Sequence, residues 1–158
     1  MPNPDTPTFE WLDDNLEPYC PGRPTCQEEC YLCPVHINEE ACLLYDEGKA
    51  EEAKEQFKVA IELTPDWKYG AAWCNLGTVY NYLRWGRNAL EAFKNAWCIN
   101  PDNARAYEGL AASYACLKEF GKALEWCDKY AMKFGEEGIA KVRAKIVRAM
   151  INKDENED

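Results

Sequence analysis

Gly70–Asn103 reads GAAWCNLGTVYNYLRWGRNALEAFKNAWCINPDN, and its order of large and small residues decides the fold. Trp73, Leu76, Gly77 and Tyr80 recur at three- and four-residue spacing and mark one amphipathic helix. Ala89, Phe93 and Ala96 mark a second, which Pro101 stops because proline has no backbone N–H to donate. Thirty-four residues further on, Tyr107, Leu110, Ala111, Tyr114 and Ala123 stand at the same offsets. A worn earlier copy keeps only the second half: Gly48, Ala53, Phe57, Ala60 and Pro65. A period of about 34 with this order of residues is a helix–turn–helix unit stacked on copies of itself.

Working outward, the first pair is expected from Asn38, as helix cap, to about Glu47, and from Ala50 to Leu63, with Gly48 between them. The second pair spans about Trp67–Leu83 and Asn88–Ile99 and turns at Arg84-Trp85-Gly86; the third spans about Asn103–Leu117 and Gly121–Phe134 and turns at Lys118-Glu119-Phe120. Gly77 and Ala89 are read as letting paired helices approach, with Tyr80 and Phe93 filling the space between units. A last helix, 136–151, carries an apolar stripe of Ile139, Val142, Ile146 and Met150 and suits the terminal cap that a repeat array needs. The organisation is therefore an acidic, Pro- and Cys-rich arm over 1–36, three repeats over 37–135, the capping helix over 136–151 and an acidic tail over 152–158.

On these residues the chain resembles the tetratricopeptide-repeat (TPR) family from about Pro34 to Glu137. The second repeat matches all eight signature positions; the third has Cys127 in place of the signature Phe and Tyr130 where a small residue is usual. The first has Ile37 and Glu40 where Trp and Leu would stand, and two extra residues separate it from the second. The resemblance implies an all-α right-handed superhelix of three TPR-type helix pairs plus the capping helix. It also implies a concave surface from the first helix of each pair: Asn38, Cys42 and Tyr45, then Cys74, Thr78, Asn81 and Tyr82, then Arg105, Glu108 and Ala112. The two-carboxylate clamp by which some relatives grip acidic chaperone tails is not reproduced. Asn75 and Arg105 match it, but Asn38, Cys42 and Gly109 stand where Lys, Asn and Arg are required. A groove with Tyr45, Tyr82 and few charges suits an uncharged or amphipathic segment of another protein. The alternative is that these residues meet the chain's own N-terminal arm, whose Phe9, Trp11, Leu12 and Leu16 form an apolar set.

The sharpest chemical feature is Cys20-x5-Cys26-x3-Cys30-x2-Cys33, followed by His36, the one histidine in the chain. Four thiolates so close in sequence can converge on one cation or cluster, with His36 able to replace a cysteine. Structural zinc usually takes two separated cysteine pairs, whereas a crowded run followed by proline is nearer to cluster spacing, so zinc and a [4Fe–4S] centre stand level. A disulfide or free thiols are the remaining options. Either metal would cap the degenerate first repeat and couple to folding. Cys74, Cys98, Cys116 and Cys127 fall where small apolar residues would serve, and are read as core filling.

Composition bounds the rest. A net charge of −10 disfavours nucleic acid, and the absence of a long apolar run disfavours a membrane span. Residues 1–34 hold seven carboxylates against Arg23 alone, which suits solubility or a basic partner. The start of the chain lacks the basic and apolar regions of a secretory signal, so a cytoplasmic protein is expected. No phosphate loop, dinucleotide fingerprint or paired-histidine motif is present, and one histidine leaves no Ser–His couple away from the cysteines. The expected function is a non-catalytic interaction scaffold, a subunit or assembly factor with a metal-capped N-terminus. The alternatives are a small iron–sulfur electron-transfer or redox-sensing subunit docked through its repeats, and a maturation factor that holds metal transiently.

Overall fold

The computed structural model describes residues 34–63 and 70–156, with side chains through Lys153. Seven helices follow one another: α1 (Pro34–Asp46), α2 (Ala50–Leu63), α3 (Ala71–Tyr82), α4 (Gly86–Ile99), α5 (Ala104–Cys116), α6 (Phe120–Phe134) and α7 (Glu136–Asn156). Consecutive helices pack on each other as antiparallel pairs, α1 with α2, α3 with α4 and α5 with α6, and α7 closes the array against α6. Three TPR-type pairs and a capping helix are thus the architecture.

The turn inside each pair is built the same way three times. Gly48, Arg84 and Lys118 adopt positive φ (83°, 64° and 61°). In each case the amide of the next residue donates five residues back: Lys49 to Leu44, Trp85 to Tyr80 and Glu119 to Tyr114, at 2.8–2.9 Å. This is the Schellman stop, which satisfies carbonyls that the helix end leaves without partners. The first repeat meets its left-handed requirement with glycine; the other two hold it on a side-chain-bearing residue.

Two differences from the expected boundaries have simple causes. Helix α1 already includes Pro34, four residues before the expected Asn38 cap, and proline is tolerated in a first helical turn. Asn38 is consequently inside the helix and buried. Helix α7 runs on to Asn156, past the acidic residues at which the apolar stripe ends, carried by i→i−4 bonding that needs no buried face. At α5 an asparagine does cap the helix: Asn103 Oδ1 accepts from the Arg105 amide at 3.0 Å.

The interior falls into two hydrophobic clusters, one centred on Phe57, Val79, Phe93 and Leu110, the other on Tyr107, Cys127, Tyr130 and Ile139. Trp97 and Trp126, edge to face at 5.6 Å, pack against both and join them. Phe93 of α4 wedges between α3 and α5. A Cβ added at Gly77 would come within 2.7 Å of its ring, and one added at Gly109 within 2.2 Å. Gly77 therefore lets the paired helices α3 and α4 approach by making room for the Phe93 ring of α4. Gly109 also acquires a reason for standing where the family's clamp places Arg: the Phe93 ring occupies the space.

The third repeat solves the same problem differently. Cys127 is fully buried in place of the missing Phe, while Tyr130, one turn on, supplies the ring. Tyr130 packs on Phe134 at 5.1 Å, and its hydroxyl lies where a Gly138 Cβ would be, 2.3 Å away. The large residue has moved along α6 and a glycine in α7 receives it. Of the cysteines read as core filling, Cys74 and Cys127 are buried, whereas Cys98 and Cys116 are exposed. Those two lie on the solvent side of α4 and at the end of α5.

Candidate functional site

Because helices alternate in direction, α3 and α5 run the same way, and with α1 and α7 they border one groove of about 720 Å³. Tyr45, Thr78, Asn81, Tyr82, Arg105 and Glu108, all expected on the concave surface, line it together with Ala112. Tyr45 and Tyr82 meet edge to face at 5.5 Å, and Tyr82 is 62% exposed. The buried Tyr45 ring braces the exposed Tyr82 ring, which offers a partner apolar area at little entropic cost. Burial, and then the neighbouring Tyr82, push the Tyr45 phenol up to about 12, so it is neutral at physiological pH.

The other three residues placed on that surface lie inside the protein. Asn38, Cys42 and Cys74 are fully buried. Asn75 Nδ2 donates to Asn38 Oδ1 at 3.2 Å and lies 3.8 Å from Cys42 Sγ, linking α3 to α1. Asn103 Nδ2 donates to Cys74 Sγ at 3.5 Å. Asn38 and Cys74 are therefore polar ties between repeats rather than groove-facing contacts, since α1 and α3 turn these side chains inward. Burial, followed by the Asp46 carboxylate, raises the Cys42 thiol to about 12, against a smaller opposing effect of Arg105.

Several groove side chains are held in place. Thr78 Oγ1 donates to the Cys74 carbonyl at 3.0 Å. Ser113 Oγ donates to the Gly109 carbonyl at 2.7 Å and lies 3.3 Å from Asn81 Oδ1. The Tyr130 hydroxyl bonds to Glu108, and burial is the main cause of its raised pKa. One guanidinium nitrogen of Arg105, Nη1, is buried and has no hydrogen-bond acceptor.

Residues that the sequence reading did not assign to this surface also line it: Arg84, and Val142, Lys145, Ile146 and Ala149 of α7. By sequence Ile139, Val142, Ile146 and Met150 form one apolar stripe. The structure divides that stripe, with Ile139 and Ile146 buried, Val142 half-buried at the groove and Met150 42% exposed. The positive φ of Arg84 was the signal for the other miss, and it is not visible in residue type.

The cysteines proposed as ligands, Cys20, Cys26, Cys30 and Cys33, lie outside the described residues. His36 is exposed in the first turn of α1, three residues beyond Cys33. Among the described residues no three His, Cys, Asp or Glu side chains converge as metal ligands would. Nor is any described helix long and apolar enough to cross a membrane.

Comparison with known proteins places the fold. No protein-family model matches the chain, and no curated protein sequence does. Among solved structures, the NMR structure of the first TPR domain of the human RPAP3 protein superposes with a TM-score of 0.68 at 17% identity, over 77% of this chain and 95% of that domain. The chain has the fold of a TPR domain, and the eight positions read in Gly70–Asn103 are what carries that fold in its sequence.

Proposed function

We propose that the protein is a non-catalytic interaction scaffold that holds a segment of another protein in the groove between α1, α3, α5 and α7, as part of a larger cytoplasmic assembly. The observation that carries this is the groove itself: about 720 Å³, open, floored by apolar side chains and presenting an exposed Tyr82. TPR folds in general present such surfaces to peptides. A test compares affinity capture by the wild-type chain, by Tyr82→Ala and by Met132→Glu, whose side chain is 89% exposed and is not among the groove-lining residues. The expected result is a partner kept by wild type and Met132→Glu and lost by Tyr82→Ala, with crosslinks mapping to the groove. A partner indifferent to Tyr82 would move the binding surface elsewhere.

A second reading rests on the cysteine run. Cys20, Cys26, Cys30 and Cys33, with His36 beside them, would hold a zinc ion or an iron–sulfur cluster next to α1, and that centre would stiffen the repeat that lacks its signature residues. Anaerobic purification, absorbance near 400 nm and zinc and iron analysis decide it. Stoichiometric zinc without colour supports a structural cap. Iron with broad absorbance supports the redox subunit. Neither metal in the freshly purified chain removes the reading.

A further inference from the structure

The chain carries 28 acidic against 18 basic residues, a net charge of −10, yet its groove inverts that balance. Among the described residues its lining holds Arg84, Arg105 and Lys145 against one carboxylate, Glu108, which the Tyr130 hydroxyl already engages. Some cations elsewhere are paired, among them Lys49 with Glu47, Lys58 with Glu55, Lys133 with Asp102 and Arg143 with both Asp128 and Glu136. No carboxylate among the described residues lies within ion-pair distance of Arg84, Arg105 or Lys145. Arg105 in addition keeps Nη1 buried without an acceptor, and a buried donor on a charged group left unsatisfied is costly. A ligand oxygen at that point would relieve it.

The three cations are also spread along the groove. Arg105 sits in the first turn of α5 and Arg84 just past the end of α3, so the parallel helices put them at opposite ends. Twelve residues of α3, at about 1.5 Å each, make the intervening length roughly 18 Å. Lys145 lies midway along α7. Tyr82, Phe93, Val142 and Ile146 line the same groove.

We propose, resting on the groove reading above, that the occupant is an acidic amphipathic segment of a partner protein. Its side-chain carboxylates reach Arg84, Arg105 and Lys145 at separated points, and its apolar side chains lie on Tyr82, Val142 and Ile146. Such a segment meets the charge of the groove and supplies the acceptor that Arg105 lacks. The long-range repulsion from the rest of the chain makes binding local and salt-dependent.

The test is selection of random 16-residue peptides, fused through their C-termini to a carrier so that no terminal carboxylate is free, on the full chain. Enriched sequences should be net acidic with apolar positions, should bind about tenfold or more weakly to Arg84→Glu/Lys145→Glu, and should be lost on Tyr82→Ala. Lys145→Glu alone, on an exposed helix position, repeats the comparison if the double variant fails to fold by circular dichroism. Peptides that depend on Tyr82 but show no acidic bias, or a basic one, overturn the proposal and leave the groove reading standing. The absence of any Tyr82-dependent peptide overturns both. A photocrosslinker at position 82 of the full chain that links to residues 1–33 of the same molecule would assign the groove to that segment and also overturn the proposal.

Discussion

At the scale of single residues, Gly109 and Lys118 show how differently a backbone position can be constrained. Gly109 is required by a neighbour, since a Cβ there would stand 2.2 Å from the Phe93 ring. Gly109→Ala is expected to lower stability by about 3 kcal/mol, the upper range for overpacking, as read by urea denaturation. Combining it with Phe93→Leu should cost less than the sum of the two, because the substitutions relieve one contact. Lys118 is constrained only by its own φ of 61°, with no glycine where the first repeat has Gly48. Lys118→Gly should therefore raise the urea midpoint, with a gain of up to about 1 kcal/mol once glycine's extra unfolded freedom is set against the left-handed penalty. Cysteine reactivity separates in the same local way. Cys98 and Cys116 should alkylate in the native protein, while Cys42, Cys74 and Cys127 wait for denaturant, as peptide mass mapping would show.

Among the elements, α7 has two jobs. Its Ile139 and Ile146 seal the end of the second hydrophobic cluster, and its Arg143 ties back to α6 through Asp128 at 2.7 Å. Its Val142 and Lys145 border the groove. Ile139→Ala should cost about 2–5 kcal/mol through the lost packing and the cavity left behind. Arg143→Ala, breaking an exposed pair, should cost under about 1 kcal/mol. Hydrogen exchange gives the discriminating readout. Ile139→Ala is expected to deprotect α7 and α6 while α2 to α4 keep their protection, because nearest-neighbour packing divides the array into units. Uniform deprotection would mean that the two clusters joined by Trp97 and Trp126 unfold as one.

For the whole molecule, alkaline pH is the informative variable. The Cys42 thiol is raised from 9.0, and the Tyr45 phenol from 10.0, to about 12 by burial, and Cys127 and Tyr130 shift the same way. Between the ordinary and the raised values the unfolded chain has given up protons that the folded one retains. Their contribution is complete below pH 9 and is lost as pH climbs towards 12. Unfolding free energy measured in urea from pH 7 to 11 should fall above pH 9, and Cys42→Ala should make that fall shallower whatever it does to stability at pH 7. An identical slope in the variant would place the alkaline sensitivity elsewhere.

The residue order by itself determined the repeat, the helix pairs and the cap, because the spacing of Trp73, Leu76, Gly77, Tyr80, Ala89 and Phe93 encodes both helix period and packing. Seven of the ten residues it placed on the concave surface, from Tyr45 to Ala112, line the groove. Only the tertiary structure decided what those patterns touch. Whether Asn38 caps a helix or is buried against Asn75 depends on α1 already including Pro34, which makes Asn38 an interior position of the helix. That Val142 and Lys145 reach the groove, that Arg84 joins them from a left-handed turn, and that Gly109 yields its space to Phe93 are matters of how distant helices stack. One-dimensional periodicity records which face a residue occupies, not which neighbour arrives there.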